Sequence, residues 1–275
     1  MSGILFVVAT PIGNLADASP RSLEVLRAAD LIACEDTRTT RTLLARYGID
    51  TPTAALHQHN ERAASGKLLN LLREGKNLAL VSDAGTPALS DPGALLVEAA
   101  HRAGIKVSPV PGPSAAAAAF SAAGFAADRF LFAGFLPASA VARRNALEAL
   151  EVDYPLIVYE APHRILETVQ DLAERFGPER EIAIGRELTK KFEEVCRMKL
   201  GEARAWLLAE PQRVQGEFVL VIAAGAARSA TELDAERTLD ALLEVMAPSE
   251  AAKLAARITG LPRRQLYQKA LRRSK

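Results

Sequence analysis

Cysteine is scarce in this chain: Cys34 and Cys196 are the two among 275 residues, and they stand in neither metal-ligand nor redox spacing. A disulfide scaffold is thereby excluded. Histidine is nearly as rare. His57 and His59 lie two apart in Leu56-His57-Gln58-His59-Asn60-Glu61, with no third ligand at a useful spacing, so no metal is expected. No stretch approaches the roughly 20 apolar residues of a membrane span. The apolar run 3–9 is short for a signal segment and lacks a basic flank, so the expected compartment is the cytoplasm. There is no G-x-x-x-x-G-K-[ST] and no G-x-S-x-G, which removes P-loop and α/β-hydrolase readings. The net charge is only +1, so the chain as a whole favours no charged partner.

What is present is unevenly placed. Residues 249–275 carry eight Lys/Arg against a single acid, Glu250, and the remainder of the chain is correspondingly acidic. The first 115 residues alternate strand and helix signals. Strands are expected at 4–9, 31–34, 78–82 and 107–110, and helices at 20–29, 39–47, 61–74 and 94–103, several of them ending at a glycine. Such alternation predicts βαβ units and a mainly parallel sheet. An alanine-rich helix at 114–123 stops at Gly124. A second α/β unit follows, with strands at 129–135, 155–159, 181–185, 192–199 (crossing an edge) and 217–223, and helices at 141–150, 165–175 and 201–208. Residues 224–232 read as a small-residue linker. Helices at 234–246, 249–258 and 262–273 close the chain, the last two separated by Thr259-Gly260-Leu261 in a helix-turn-helix-like pattern. The expected organisation is an N-terminal α/β domain (1–115), a second α/β domain (116–225) and a basic helical extension (226–275).

Three strands end in clusters of Gly, Pro, Ser, Thr and Asp: Thr10-Pro11-Ile12-Gly13-Asn14, the segment 82–93 (SDAGTPALSDPG) and Pro111-Gly112-Pro113-Ser114. Backbone there can approach a ligand with no Cβ in the way, and neighbouring strand ends of this kind form a crevice for a small polar cofactor. Asp83, directly at a strand end, suits a ribose or amine, whereas Asp91-Pro92 reads as turn chemistry at the start of the next helix. Ser114 is expected as an N-cap, and the alanines after it suit close helix packing. Cys34-Glu35-Asp36-Thr37-Arg38 is either a solvated charged turn or a polar wall facing the substrate. His163 and Arg164, with Arg186, Lys190 and Lys191 from the next strand end, would make a basic mouth for a polyanion.

Taken together, ATPIGNL (9–15), ACEDTR (33–38), SDAGTPALSDPG (82–93), VPGPSA (110–115), YEAPHR (159–164) and GRELTKKFEE (185–194) resemble the ribosomal RNA branch of the tetrapyrrole-methylase superfamily, from residue 4 to about 223, and the basic helical tail fits that branch's C-terminal extension. The resemblance implies S-adenosylmethionine as methyl donor, bound between two α/β domains, a homodimer, and 2′-O-methylation of a cytidine ribose in the decoding region of 16S rRNA. Carried over, donor contacts fall on Pro11, Gly13, Asp83, Gly85, Thr86, Pro111, Gly112, Ser114 and Ala115. The Gly-Asp-Pro loop of the tetrapyrrole enzymes reads Ser82-Asp83-Ala84 here, which counts against a corrin or porphyrin acceptor.

A protonated ribose hydroxyl is a poor nucleophile, so a base within reach would help. Lys190 qualifies if Lys191 and Arg186 depress its pKa; Glu35 or Asp36, and His163, are the other candidates, and the sequence does not choose. RNA contacts are expected from Arg38, Arg164, Arg186, Lys191, Lys253, Arg263, Arg264, Lys269, Arg272 and Arg273. The rival readings are a small-molecule tetrapyrrole methylase, a methylase of a modified histidine in an elongation factor, and a non-catalytic ribosome-assembly protein that binds nucleic acid. The last would not need three Gly/Pro-rich strand ends, and the others leave the basic tail unused.

Overall fold

The structure, a computed structural model, describes residues 2–150, 153–225 and 230–273, the side chains of 230–234, 272 and 273 excepted. Residues 1–223 form one compact unit and residues 224–275 a second.

The first unit holds two five-stranded sheets. In the first sheet β1 (Ile4–Val8), β2 (Leu31–Cys34), β3 (Thr53–Ala55), β4 (Leu78–Val81) and β5 (Lys106–Val110) lie in the order β3-β2-β4-β1-β5, all parallel. Parallel strands are covered on both faces, and β4 is buried along its whole length. The crossovers are α1 (Pro20–Ala28), α2 (Thr37–Arg46), α3 (Glu61–Arg73) and α4 (Ala94–Arg102). Ser19 caps α1 with Pro20 in its first turn.

Three expectations need correction. Asp36 does not sit in a charged turn: its side chain accepts from the Arg38 amide and starts α2 two residues early. β3 is absent from the expected elements because Thr53-Ala54-Ala55 is short and weakly β-prone. Asp91-Pro92 does not begin α4. Gly93 does, with a φ of +126°, and the cap comes from Glu61, whose Oε1 accepts from Gly93 N at 2.8 Å and Leu95 N at 3.0 Å.

After α5 (Ala115–Ala123), which ends at left-handed Gly124, come β6 (Leu131–Phe135), α6 (Ala140–Ala149), β7 (Leu156–Glu160), α7 (Ile165–Phe176), β8 (Glu181–Arg186), β9 (Glu194–Lys199), α8 (Leu200–Leu208) and β10 (Phe218–Ile222). The second sheet is mixed, in the order β6-β7-β10-β8-β9. β6 pairs with β7 in parallel, and the remaining pairs are antiparallel. Its far side packs α7 and α8 against Leu156, Ile182 and Leu220, and α6 is fastened to α7 by buried Arg143, whose Nε meets Asp171 Oδ2 at 2.6 Å. Its near side receives the alanine face of α5: Ala116, Ala119 and Ala123 pack with Ile157, Ala183, Val219 and Val221, and Ile12 joins them. Small side chains let the helix lie close on the strands, so the alanine run is packing. Through this layer the loop after β1, by Ile12, meets the second sheet.

The second unit contains α9 (Ala230–Leu243), α10 (Pro248–Thr259) and α11 (Arg263–Arg273) around Ala235, Leu239, Ala251, Ala252, Ala255, Leu266 and Ala270. Part of the expected linker, residues 226–229, lies outside the described residues. Ser249, which by sequence offers an N-cap beside Glu250, is not the cap of α10. Ala247 holds that position with Pro248 in the first turn, and Ser249 Oγ accepts from Arg263 instead. Gly260, left-handed, ends α10 and makes the turn into α11.

Candidate active site

The carboxyl ends of β1, β4 and β5, adjacent in the first sheet, deliver the three Gly/Pro-rich loops side by side. They are stitched together by backbone. Thr10 N donates to Gly85 O at 2.8 Å and Gly85 N returns to Thr10 O at 3.0 Å, an antiparallel bridge between loops of a parallel sheet. Gly85 has a φ of +83°, a conformation glycine adopts at little cost. Thr10 Oγ1 donates to Ser82 O, and Thr86 Oγ1 donates to Pro113 O at 3.2 Å, which ties the β4 loop to the β5 loop. Asp83 is fixed by the Asp36 amide, which donates to its Oδ1 at 2.9 Å. Ala88 and Ser90, farther along the β4 loop, both hold left-handed φ values of +67° and +68°, a strain of about 1 kcal/mol each.

A cavity of about 360 Å³ opens over these loops, lined by Thr10, Pro11, Gly13, Ser82, Asp83 and Ala84, with Thr39, Thr40 and Leu43 from α2 and Lys190 and Glu217 from the loops after β8 and before β10. A wider polar cleft of about 760 Å³ continues from it past Gly13, Asn14 and Leu15 to Arg46, Tyr47, Thr189 and Lys191. Of the expected donor contacts, Pro11, Gly13 and Asp83 line the cavity. Gly85 and Thr86 join the loops beneath it. Pro111, Gly112, Ser114 and Ala115 lie outside its lining, on the β5 loop. Gly13 and Gly112 are both places where backbone runs close: a Cβ on Gly13 would fall 2.4 Å from Lys190 Cγ, and one on Gly112 3.0 Å from Ala9 Cβ. Ser114 occupies the N-cap of α5 but makes no side-chain cap bond, so it does not satisfy the first-turn amides there. Ala116 N is taken by Tyr159 Oη at 3.1 Å.

Acids gather at the ends of β2 and β4. Burial, followed by the charge of Asp83, raises the Glu35 carboxyl, against an opposing pull from His57. Asp91 is pushed up to about 6 by burial first and then by Glu35, with a Ser82 hydrogen bond opposing. Its half-buried carboxyl therefore belongs to this cluster, beyond the turn chemistry expected of it. Asp36 is the opposite case: the Arg38 side chain, then the Arg38 amide, bring it down to about 2, so a cap and an ion pair occupy the carboxylate that was a candidate base.

The basic mouth does not form as expected. β7 and β8 do end on the same side of the sheet, but most of their cations are spent inside the fold. Arg164 Nη2 binds Glu160 Oε2 at 3.0 Å and Leu136 O at 2.7 Å, and Glu160 is also held by Thr168. Arg186 is buried between Glu194 and the Gln212 and Gln215 carbonyls. Both head groups are engaged within the fold. Lys190 is not depressed by Lys191 and Arg186. Burial would lower it, but hydrogen bonds to Glu187 and Glu217 outweigh that and hold it raised. His163 is exposed in the turn before α7. Lys191 is exposed beside the cleft, and Arg38 is exposed on α2, its head paired with Asp36. In the helical unit Lys253, Arg263 and Arg264 are exposed, whereas Lys269 is paired with Glu236. The side chains of Arg272 and Arg273 lie outside the described residues. Sequence reasoning passed over Arg46 and Tyr47; their place at the end of α2, facing the β1 loop, depends on how helix and sheet pack.

Among the described residues no helix is long and apolar enough to cross a membrane. Residues 5–204 match the profile of the family described as Tetrapyrrole (Corrin/Porphyrin) Methylases, and residues 229–274 match the RsmI C-terminal HTH domain. The chain is 49% identical to ribosomal RNA small subunit methyltransferase I of Pseudomonas aeruginosa, across 99% of this chain and 98% of that protein. It is 48% identical to the protein of the same name from Escherichia coli O157:H7, across 98% and 95%. Among solved structures it is similar to uroporphyrin-III-C-methyltransferase from Thermus thermophilus (TM-score 0.58, 21% identity, 80% of this chain and 94% of that one) and to diphthine synthase (TM-score 0.59, 17% identity, 82% and 92%). At those identities the structural likeness speaks to fold.

Proposed function

The chain belongs to the tetrapyrrole methylase family, and from that premise we propose that it transfers a methyl group from S-adenosylmethionine to RNA of the small ribosomal subunit, at the ribose 2′-hydroxyl of a cytidine in the decoding region. The observation that carries this reading is near-half identity along almost the whole length to relatives named for that subunit, continuing through the C-terminal helices. A small tetrapyrrole acceptor would give those helices no work.

The residues present fit the donor. Its carboxylate suits the first-turn α5 amides other than Ala116 N, which Tyr159 takes, at the positive end of the helix dipole. Asp83, held rigid by the Asp36 amide, offers its second oxygen to a hydroxyl or an ammonium. Close packing of Gly13 against Lys190 and of Gly112 against Ala9 leaves little room for a Cβ and fixes the course of these two loops. When bound, S-adenosylmethionine supplies an already activated methyl group.

The protein's part is to place the acceptor oxygen in line and receive its proton. Of the candidate bases, Lys190 is held protonated, Asp36 sits too low, and His163 is exposed in a turn. Glu35, at the end of β2 and raised by burial and by Asp83, is the candidate left to take the proton from the 2′-hydroxyl. The exposed cations Lys191, Lys253, Arg263 and Arg264 hold phosphate, and that grip weakens with salt.

The test is methyl incorporation from radiolabelled donor into small subunits lacking their native modifications, with nuclease mapping. Label in a 2′-O-methylcytidine is the expected result. Donor binding with no RNA label moves the acceptor elsewhere. Glu35→Gln should lower the single-turnover rate about 100-fold with donor affinity unchanged.

A further inference from the structure

Phe135, the last residue of β6, is 57% exposed although its neighbours on the strand are better covered. A single exposed apolar side chain is ordinary. Three observations make this one different.

First, the ring is aimed there by a device. The β6–β7 register shifts between Phe132 and Gly134, and Gly134 has a φ of +61°. Bulges of this kind re-aim the side chain that follows. Second, the bulge is held against the β4 loop: a Cβ on Gly134 would lie 2.6 Å from Ser90 Oγ, and Ser90 is one of the two strained residues of that loop. Third, the ring is braced. Phe135 meets Tyr159 edge-on at 5.6 Å, Phe132 does so at 5.0 Å, and Tyr159 Oη is fixed by Ala116 N at the start of α5. The Asp91 charge also reaches the Tyr159 hydroxyl. One chain of contacts thus links an exposed, preorganised aromatic surface to the start of α5, beside the β5 loop assigned to the donor.

RNA recognised in single-stranded loops and ends has its bases splayed out, and proteins hold such bases on aromatic side chains. Resting on the RNA reading above, we propose that Phe135 is the stacking surface for an unstacked base of the acceptor RNA at the mouth of the site. The bulge keeps the ring open to that base, and the Tyr159 brace sets its distance from α5.

The experiment uses the full chain with unmodified small subunits. Phe135→Ala should lower kcat/KM for RNA about 10-fold or more, mostly through KM, with donor affinity within twofold and oligomeric state unchanged. Phe135→Trp should recover to within about threefold, and its added tryptophan emission should be quenched by subunits and not by donor. Unchanged RNA kinetics in Phe135→Ala overturn the inference, as does a variant that loses donor affinity or changes oligomeric state, because the ring would then be a structural or subunit contact. A wild-type chain that binds donor and labels no RNA overturns the acceptor reading itself, and this inference with it.

Discussion

Lys190 Nζ lies 2.9 Å from Glu217 Oε2, and Glu187 Oε1 approaches the same ammonium at 2.9 Å from the other side. The lysine is thereby a fixed cation linking the β8 loop to the start of β10. Lys190→Arg should keep methyl transfer within about threefold, since positive charge is what the position requires. A base could not survive that change, because arginine does not deprotonate. Single-turnover rates decide, and a loss of about 100-fold or more would return Lys190 to the list of bases.

Gly13 touches the same lysine. A Cβ there would sit 2.4 Å from Lys190 Cγ and 3.0 Å from Leu188 O, and a backbone carbonyl gives way less readily than a flexible side chain. Gly13→Ala should cost about 1–3 kcal/mol of stability and weaken donor binding about 10-fold, read by thermal melts and calorimetry. Unchanged donor affinity would separate this loop from the donor.

Asp91 gives the fold a pH signature. Its carboxyl titrates at about 6 in the native state against 3.8 when free, so the native chain binds the proton more tightly. Stability contributed by that proton is present below about pH 4, falls as pH rises toward 6, and is absent above. Glu35 is raised beside it, so the window belongs to the pair. Asp91→Asn should be more stable than wild type by about 1 kcal/mol at pH 7.5, a figure discounted for the carboxyl's partial exposure. The difference should vanish near pH 4. Melting curves across pH test this, and a constant offset would contradict it.

The helical unit predicts a division of labour. A chain ending at Ala223 keeps the whole first unit, whereas a cut at 249 would strand α9 without the partners that bury Ala235 and Leu239. The shorter chain should hold donor within twofold and bind RNA about 10-fold more weakly or worse, with a shallower salt dependence. RNA affinity that survives the cut would assign the grip to the first unit.

The first sheet was readable because its strands end in residues that stop strands: Pro11 with Gly13, Asp83 with Gly85, and Pro111 with Gly112 announce the loops before any contact is known. The α4 cap was hidden, since Glu61 lies 32 residues from Gly93 and only packing brings them together. The cations of the second sheet were legible as charges, and their neutralisation was not. Glu160 is four residues from Arg164, a helical spacing in a segment that reads as strand and turn, while Gln212 and Gln215 reach Arg186 from a distant segment. Asp91 looked like a turn residue because its shift depends on burial in the fold and on Glu35, which lies 56 positions away in the sequence. Phe135 was unreadable for a related reason: a glycine beside an aromatic does not disclose a bulge.

The exchange of amides between Thr10 and Gly85 means that neither loop can swing away without the other. The floor of the cavity is thus a piece of main chain, indifferent to most side chains set upon it. A floor of that kind can be handed down intact while the walls are rebuilt, so a change of acceptor would be written in residues such as Phe135 and Lys191 and leave that floor untouched.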